Sequence, residues 1–394
     1  MINNYDYLRF YKPRGYPVRH RHKGPFNPSI EVDPNFISRA KAIRDYDREF
    51  DRFILAAGAY EELIIDSYAT NIHWSTQLEG NPLSDGEVKR LTRATFSGQL
   101  EEKRAGPQQE IVNHLMNLIA PQRFELPWTI EKVCNLNHFL MKDTGSSCKT
   151  GEFRAAHACV KTDTGQEIFI PAPPNMVTNE IQELLNWANG KALALDQIIA
   201  AVIMFHEFES IHPFEDGNGR TGRCLFHLYL ENRALSNSHL CKIDFHLLKD
   251  KDLYYDLLAY ADDAGSYREL IDFVSIAILN GYEEANNYLS SKDLMTSGLD
   301  EASRRLLVKA RTLKDYFSVS QASDWVDGLT EQSIRNKLND LVDLDVLESK
   351  GATRARRYRF KDPLSSMRER LPMNERTDVR EASITQSKLN SERP

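Results

Sequence analysis

The chain has 394 residues, 41% of them hydrophobic and 27% charged, with a formal net charge of −7. That length accommodates two or three hydrophobic cores, and the acidic balance excludes a protein that coats nucleic acid along its whole surface. No stretch approaches the ~20 consecutive apolar residues of a membrane span and the start lacks the apolar core of a signal peptide, so a cytoplasmic protein without a membrane partner is expected. The five cysteines, at 134, 148, 159, 224 and 241, form no CxxC pair, which suits reduced thiols and argues against zinc.

Residues 1 to about 30 are rich in Pro, Arg, His and Tyr without a regular period, and read as an irregular arm wrapped on the body. From Asp33 apolar residues recur at helical spacing, with Asp33 as a cap before Pro34 and Gly80-Asn81-Pro82 as the stop, which predicts two or three helices. Ser84 caps another helix, and 107–142 supplies more. The pattern breaks over 143–174, where Gly145, Gly151 and the turn Thr162-Asp163-Thr164-Gly165 flank the short runs ACVK and QEIFIP. A small hairpin is predicted, and since a lone hairpin cannot bury itself, it must lie on the helices as a flap. Helical spacing resumes after Pro174. The stretch LALDQIIAAVIMFHEFESIHPF is so continuously apolar that it predicts the buried central helix, and GRTGRCLFHLYLENRAL predicts the next one. From about Leu299 a separate module reads as three helices followed by a basic hairpin, a winged-helix pattern, and the polar stretch 362–394 reads as a disordered tail.

The chemistry concentrates in IHPFEDGNGRTGR, residues 211–223. Gly217-Asn218-Gly219 lies between two helices, where backbone N–H groups and the positive helix end suit a phosphate. Arg220 and Arg223 are three apart on the first helical turn and are expected to reach oxygens of one ligand. Asp216 is a hard oxygen donor suited to Mg²⁺ beside phosphates, and His212 is the nearby group able to accept a proton. Each part alone also has an ordinary reading as turn, cap or structural histidine; the combination describes attack on a nucleotide phosphate.

The order and spacing HPFxDGNGRxxR, matched at His212, Pro213, Phe214, Asp216, Gly217, Asn218, Gly219, Arg220 and Arg223, resembles the Fic-domain family, over roughly residues 70–285. The resemblance implies a mainly α fold: a Fic helical bundle with a small β-hairpin flap, followed by the C-terminal winged-helix domain. It divides the chain into an N-terminal arm and helical region (1–105), the core (106–290), the winged helix (299–361) and the tail (362–394). It implies transfer of AMP from ATP to a Ser, Thr or Tyr hydroxyl of a target protein, itself included. His212 would deprotonate that hydroxyl and Asp216 would hold Mg²⁺. Gly217, Asn218, Gly219 and Arg220 would cradle the phosphates, with Thr221 and Gly222 in the same nucleotide-binding stretch, and Arg223 would bind the γ-phosphate. The flap would take up the acceptor in strand-like fashion, and Tyr254-Tyr255 resembles a tyrosine pair near the adenine.

STQLEG, Ser75 to Gly80, resembles the inhibitory motif [S/T]xxxE[G/N] of the same family. Ser75, Glu79 and Gly80 would then form an inhibitory element in which Glu79 pairs with Arg223 and denies it to the γ-phosphate. A homodimer is expected, because relatives use dimer contacts to hold this helix. Arg335 and Lys337, with Lys350, Arg354, Arg356, Arg357 and Arg359 on the wing, suit DNA phosphates, while protein docking by the same module stays open. Two other readings remain: a DNA-binding regulator with a nucleotide-sensing core, and an enzyme that removes AMP, with Glu79 positioning a water.

Overall fold

A computed structural model describes residues 17–21, 24–101, 103–119, 127–161, 165–295, 299–313, 315–352, 355–362 and 367. The tail beyond 367, Arg354 and the predicted turn residues 162–164 lie outside the described residues. The helices are α1 (Phe36–Phe50), α2 (Ala57–Gln77), α3 (Asp85–Ser97), α4 (Gly106–Leu118), α5 (Ile130–Met141), α6 (Pro174–Ala188), α7 (Gln197–Ile211), α8 (Asn218–Tyr229), α9 (Ile243–Leu248), α10 (Lys251–Ala264), α11 (Arg268–Lys292), α12 (Glu301–Arg311), α13 (Val319–Ser323) and α14 (Glu331–Asp343). The strands are β1 (Val18–Arg19), β2 (Val160–Lys161), β3 (Glu167–Ile170), β4 (Phe317–Ser318), β5 (Leu347–Lys350) and β6 (Arg357–Phe360). No described helix is long and apolar enough to cross a membrane.

Two compact units are present, one gathering the chain up to Asp47 with Ser67–Ala94 and Leu100–Glu284, the other Arg48–Asp66, Thr95–Gln99 and the chain from Ala285. In the first, α7 is the central helix. Its sequence is apolar on every face, so it is stable only when surrounded, and Ile198, Ala201, Val202, Ile203, Phe205 and Phe208 are all buried. The Asp196 carboxylate caps its start by accepting from the Ile198 N–H, and α6 and α8 pack on its sides. Truncating a central residue such as Phe205 to alanine would cost about 3–5 kcal/mol through lost burial and the cavity left behind.

The predicted hairpin forms as β2 and β3, antiparallel with an irregularity at Val160/Lys161. The arm supplies a third strand that local pattern did not announce: β1 pairs in parallel with β3, Val18 opposite Phe169 and Arg19 opposite Ile170. A parallel neighbour has to come from a distant part of the chain, so no turn signal marks it.

The second unit has a core of Ile54, Leu306, Leu307, Phe317, Ile334, Leu338, Leu341 and Tyr358. Its C-terminal part runs α12, β4, α13, α14, β5, β6, with a sheet ordered β4-β6-β5, so the three helices and the hairpin are joined by one further strand. Much of its positive charge is engaged internally. Lys337 pairs with Asp300, Arg359 with Glu348 and Lys361 with Asp345, each at 2.6 Å, and Lys350 lies over the Tyr316 ring at 3.8 Å.

His114 on α4 is 1% exposed and neither ring nitrogen has a hydrogen-bond partner. Burial pushes it down to about 3, so in the folded chain it stays neutral where the unfolded chain takes up a proton. Stability therefore falls as pH drops from about 6.5 toward 3, by up to ~1.4 kcal/mol per pH unit from this group. His114→Leu is expected to remove that share, gaining about 2 kcal/mol on the wild type at pH 5 relative to pH 7.5. Denaturant unfolding at the two pH values would show it; identical pH dependence in both proteins would contradict it.

Candidate active site

The motif loop leaves α7 through His212, whose left-handed backbone (φ 52°) closes the helix with an N–H bond to the Phe208 carbonyl. Phe214 then turns inward, 0% exposed, against Phe208 and Phe153. Asn218 braces this turn from both ends of its amide, accepting from the Phe214 N–H and donating to the Phe214 carbonyl, each at 2.8 Å. Gly217 is required twice over: its φ is +79°, and a Cβ there would stand 2.5 Å from Met141 Sδ. The first intrahelical bond of α8 is Thr221 N–H to the Gly217 carbonyl, so the N–H groups of Asn218, Gly219 and Arg220 have no partner within the helix. This is an anion-binding end.

His212 sits at its edge. Its Nδ1 lies 3.3 Å from the Glu209 carbonyl oxygen, which only accepts, so Nδ1 carries the proton and Nε2 keeps its lone pair. Burial pushes the imidazole down to about 4, leaving it neutral at pH 7. The backbone beneath is held by Arg154, whose buried guanidinium donates to the carbonyls of His212 (2.7 Å), Ile211 (3.2 Å), Ala156 (3.0 Å) and Ala172. One cation thus ties the loop to the foot of the flap.

Opposite stands the end of α2. Glu79 follows its last turn, and Gly80 adopts φ +91°. The N–H of Asn81 bonds to the Thr76 carbonyl and that of Gly80 to the Gln77 carbonyl, the paired bonds of a Schellman stop. That geometry points Glu79 at α8. Arg223, 1% exposed, donates from Nη2 to Glu79 Oε1 (2.7 Å) and the Ser75 carbonyl (2.9 Å) and from Nε to Ser75 Oγ (2.8 Å). Burial opposes its charge, but Glu79, Tyr254 and Glu209 outweigh that and hold it firmly protonated. A Cβ on Gly219 would lie 2.2 Å from Glu79 Oε1, so the carboxylate rests on the first turn of α8.

These groups line a cavity of about 440 Å³, bounded by Glu79, His212, Gly219 and Arg223 and further by Tyr254, Tyr255, Leu258, Ile168 and Phe169. Its size is that of a small-molecule site. Residues 127–230 match the family model described as Fic/DOC family. The chain carries a Fic domain. Among curated proteins it is similar to "Protein adenylyltransferase fic-1" of Caenorhabditis briggsae, 23% identical over 198 residues, covering 48% of this chain and 37% of that protein. It is also similar to "Protein adenylyltransferase Fic" of Drosophila erecta, 24% identical over 214 residues, covering 53% and 40%. The chain thus spans well under half the length of these relatives. Among solved structures, a Fic family protein from Desulfovibrio desulfuricans G20 has the same fold (TM-score 0.57, 20% identity, 85% of this chain and 98% of that one). Fic-1 (residues 134–508) from Caenorhabditis elegans shares it too (TM-score 0.52, 20% identity, 65% and 73%).

Within the Fic loop the structure redistributes several expected roles. Arg220 and Arg223 do not converge: Arg220 is held by Glu110 (2.7 Å) and Asp216 (2.8 Å), and only Arg223 faces the cavity. The Asn218 amide is spent on Phe214, which leaves only its N–H for an anion. Thr221 is 0% exposed, its hydroxyl donating to the Gly217 carbonyl and accepting from Asn137, so its side chain supports the loop and reaches no ligand. Gly222 makes room for the Glu209 carboxyl and for Phe208, and is not itself part of the cavity wall. Asp216 accepts from the Gly217 N–H and Arg220 on one oxygen and from Ser146 on the other. No group of three or more His, Cys, Asp or Glu forms a metal site among the described residues. A magnesium ion at Asp216 would therefore take most of its ligands from phosphate and water, as this ion commonly does.

Glu209 went unnoticed in the sequence although it shares the His212 face of α7 at i, i+3 spacing. Its Oε1 is buried without a hydrogen-bond partner, and burial pushes the carboxyl up to about 7, so the cavity holds a carboxyl that titrates near neutrality beside a histidine that does not. For His212 an NMR titration of the ring is expected to give a midpoint near 4; a midpoint at the ordinary 6.5 would contradict the buried pose.

Proposed function

We propose that the Fic domain is a protein adenylyltransferase held inactive by Glu79. The observation that carries this is the placement of the Glu79 carboxylate: it rests on Gly219 at the N-terminus of α8 and is paired with Arg223, where an anionic ligand would find both the helix end and the guanidinium. A side chain that imitates a phosphate in this way competes with one. With Glu79 withdrawn, Arg223 and the N–H groups of 218–220 would receive the phosphates of ATP. The acceptor hydroxyl of a target protein would give its proton to His212 Nε2 as its oxygen bonds to the α-phosphorus, and pyrophosphate would leave. The arriving anion would raise the low pKa of His212 and so stabilise the imidazolium that forms. Magnesium held by Asp216 would neutralise phosphate charge.

The energetics suit a switch. Removing one partner of a buried pair costs about 3–5 kcal/mol, less here because Glu79 is partly exposed, and ~1.4 kcal/mol already shifts a population tenfold. The DNA-binding reading draws less support, since two of its basic residues, Lys337 and Arg359, are paired with acids of their own module and Lys350 lies over a tyrosine ring.

The test is incorporation of the α-phosphate of labelled ATP into protein by wild type, Glu79→Gly and Glu79→Gly/His212→Ala. Label is expected to rise at least tenfold in the single variant and to return to background in the double. Absence of label in all three would overturn the reading, and AMP release from a modified protein by wild type alone would assign Glu79 to hydrolysis. Glu79→Gly should also unfold more easily, by about 1–3 kcal/mol, because Arg223 is left unpaired. ATP at 100 times its Kd should return about 2.7 kcal/mol, as measured by thermal unfolding.

A further inference from the structure

The cavity is not closed by the Fic elements alone. Its α10 wall runs from Tyr254, beside Arg223, to Asp262, eight residues and about 12 Å along the helix. Asp262 lies against α7, 3.4 Å from His206 and 2.8 Å from Ser210. At this far end the arm enters. His20 Nδ1 is 2.7 Å from Ser210 Oγ, the His20 N–H donates to the Ile170 carbonyl (2.8 Å), and Arg21 donates to the Asp263 carbonyl (2.7 Å). β1 is thereby strapped to β3 on one side and α10 on the other.

Val18 is the residue this strapping puts in place. It is 4% exposed, lines the cavity, and stands in register with Phe169, which is in register with Val160. All three belong to the cavity wall, so one row across three strands forms an apolar roof facing Leu258 and Ala259 of α10. Arg223 and the end of α8 supply the charged part of the cavity, and this roof supplies a flat, dry part of the kind that takes a heteroaromatic ring.

We propose that the N-terminal arm is part of the nucleotide site: Val18 contacts the base and His20 is a positioning residue that holds Val18 there. The proposal rests on the nucleotide-binding reading given above. It also explains why Val18 is buried in a two-residue strand whose neighbours His20 and Arg21 are tied at successive positions.

The experiment uses the full chain carrying Glu79→Gly, so that the anion position is open, and measures binding of ATP and of inorganic tripolyphosphate by calorimetry. Val18→Asp is expected to weaken ATP at least tenfold and leave tripolyphosphate within twofold, because only the base meets the altered wall. Val18→Ile should retain ATP affinity, and His20→Ala should weaken ATP about threefold with the same indifference toward tripolyphosphate. Thermal unfolding of each variant checks folding, and Val18→Ala replaces Val18→Asp if the latter does not fold. Unchanged ATP affinity, or equal loss of both ligands in a folded variant, would overturn the proposal. A Glu79→Gly parent that binds tripolyphosphate but not ATP would overturn the base site alone, and a parent that binds neither would overturn the nucleotide reading as well.

Discussion

A guanidinium buried to 1% exposure needs a negative partner, and the geometry of the Fic site follows from how Arg223 obtains one. The requirement fixes the approach of α2, whose last turn supplies the Ser75 hydroxyl and carbonyl and then, through the left-handed step at Gly80, the Glu79 carboxylate. It also fixes the absence of a side chain at Gly219, since any Cβ there would meet that carboxylate. A guanidinium is satisfied by an anion as such and not by Glu79 in particular, which is why, on the proposed reading, a residue of the same chain and a ligand would compete for Arg223.

Around this pair the site is built from supports that do not touch a ligand. Arg154 gathers carbonyls from the loop and the flap, Asn218 fastens Phe214, and Asn137 on α5 reaches the Asp216 carbonyl and Thr221 while accepting from the Gly151 N–H. The left-handed turn at His212 is thus over-determined by hydrogen bonds on both sides, as an unfavourable backbone conformation must be if it is to persist.

What could be read in the sequence was what is local. The apolar run of α7, the glycine-bounded hairpin and the motif from His212 to Arg223 each carry their signal within a few turns of chain, and they appear where expected. The divergence of Arg220 from Arg223 could not be read, because Glu110, which claims Arg220, lies more than a hundred residues away, whereas the Glu79–Arg223 pair is expected through the family resemblance alone. The parallel pairing of β1 with β3 is hidden for the same reason. The titration of Glu209 depends on burial, a property of the assembled fold with no mark in composition.

The order of the chain gives the Glu79–Arg223 contact a meaning in time. Glu79 precedes the motif by more than a hundred residues, and at synthesis rates of about 5–20 residues per second α2 is made several seconds before His212 exists. The acid is therefore already available when α8 forms, and a newly made molecule meets its own carboxylate before it can meet a nucleotide. On the proposed reading such a molecule would be guarded from the moment it folds, with no interval in which it must rely on a separate inhibitor reaching it first.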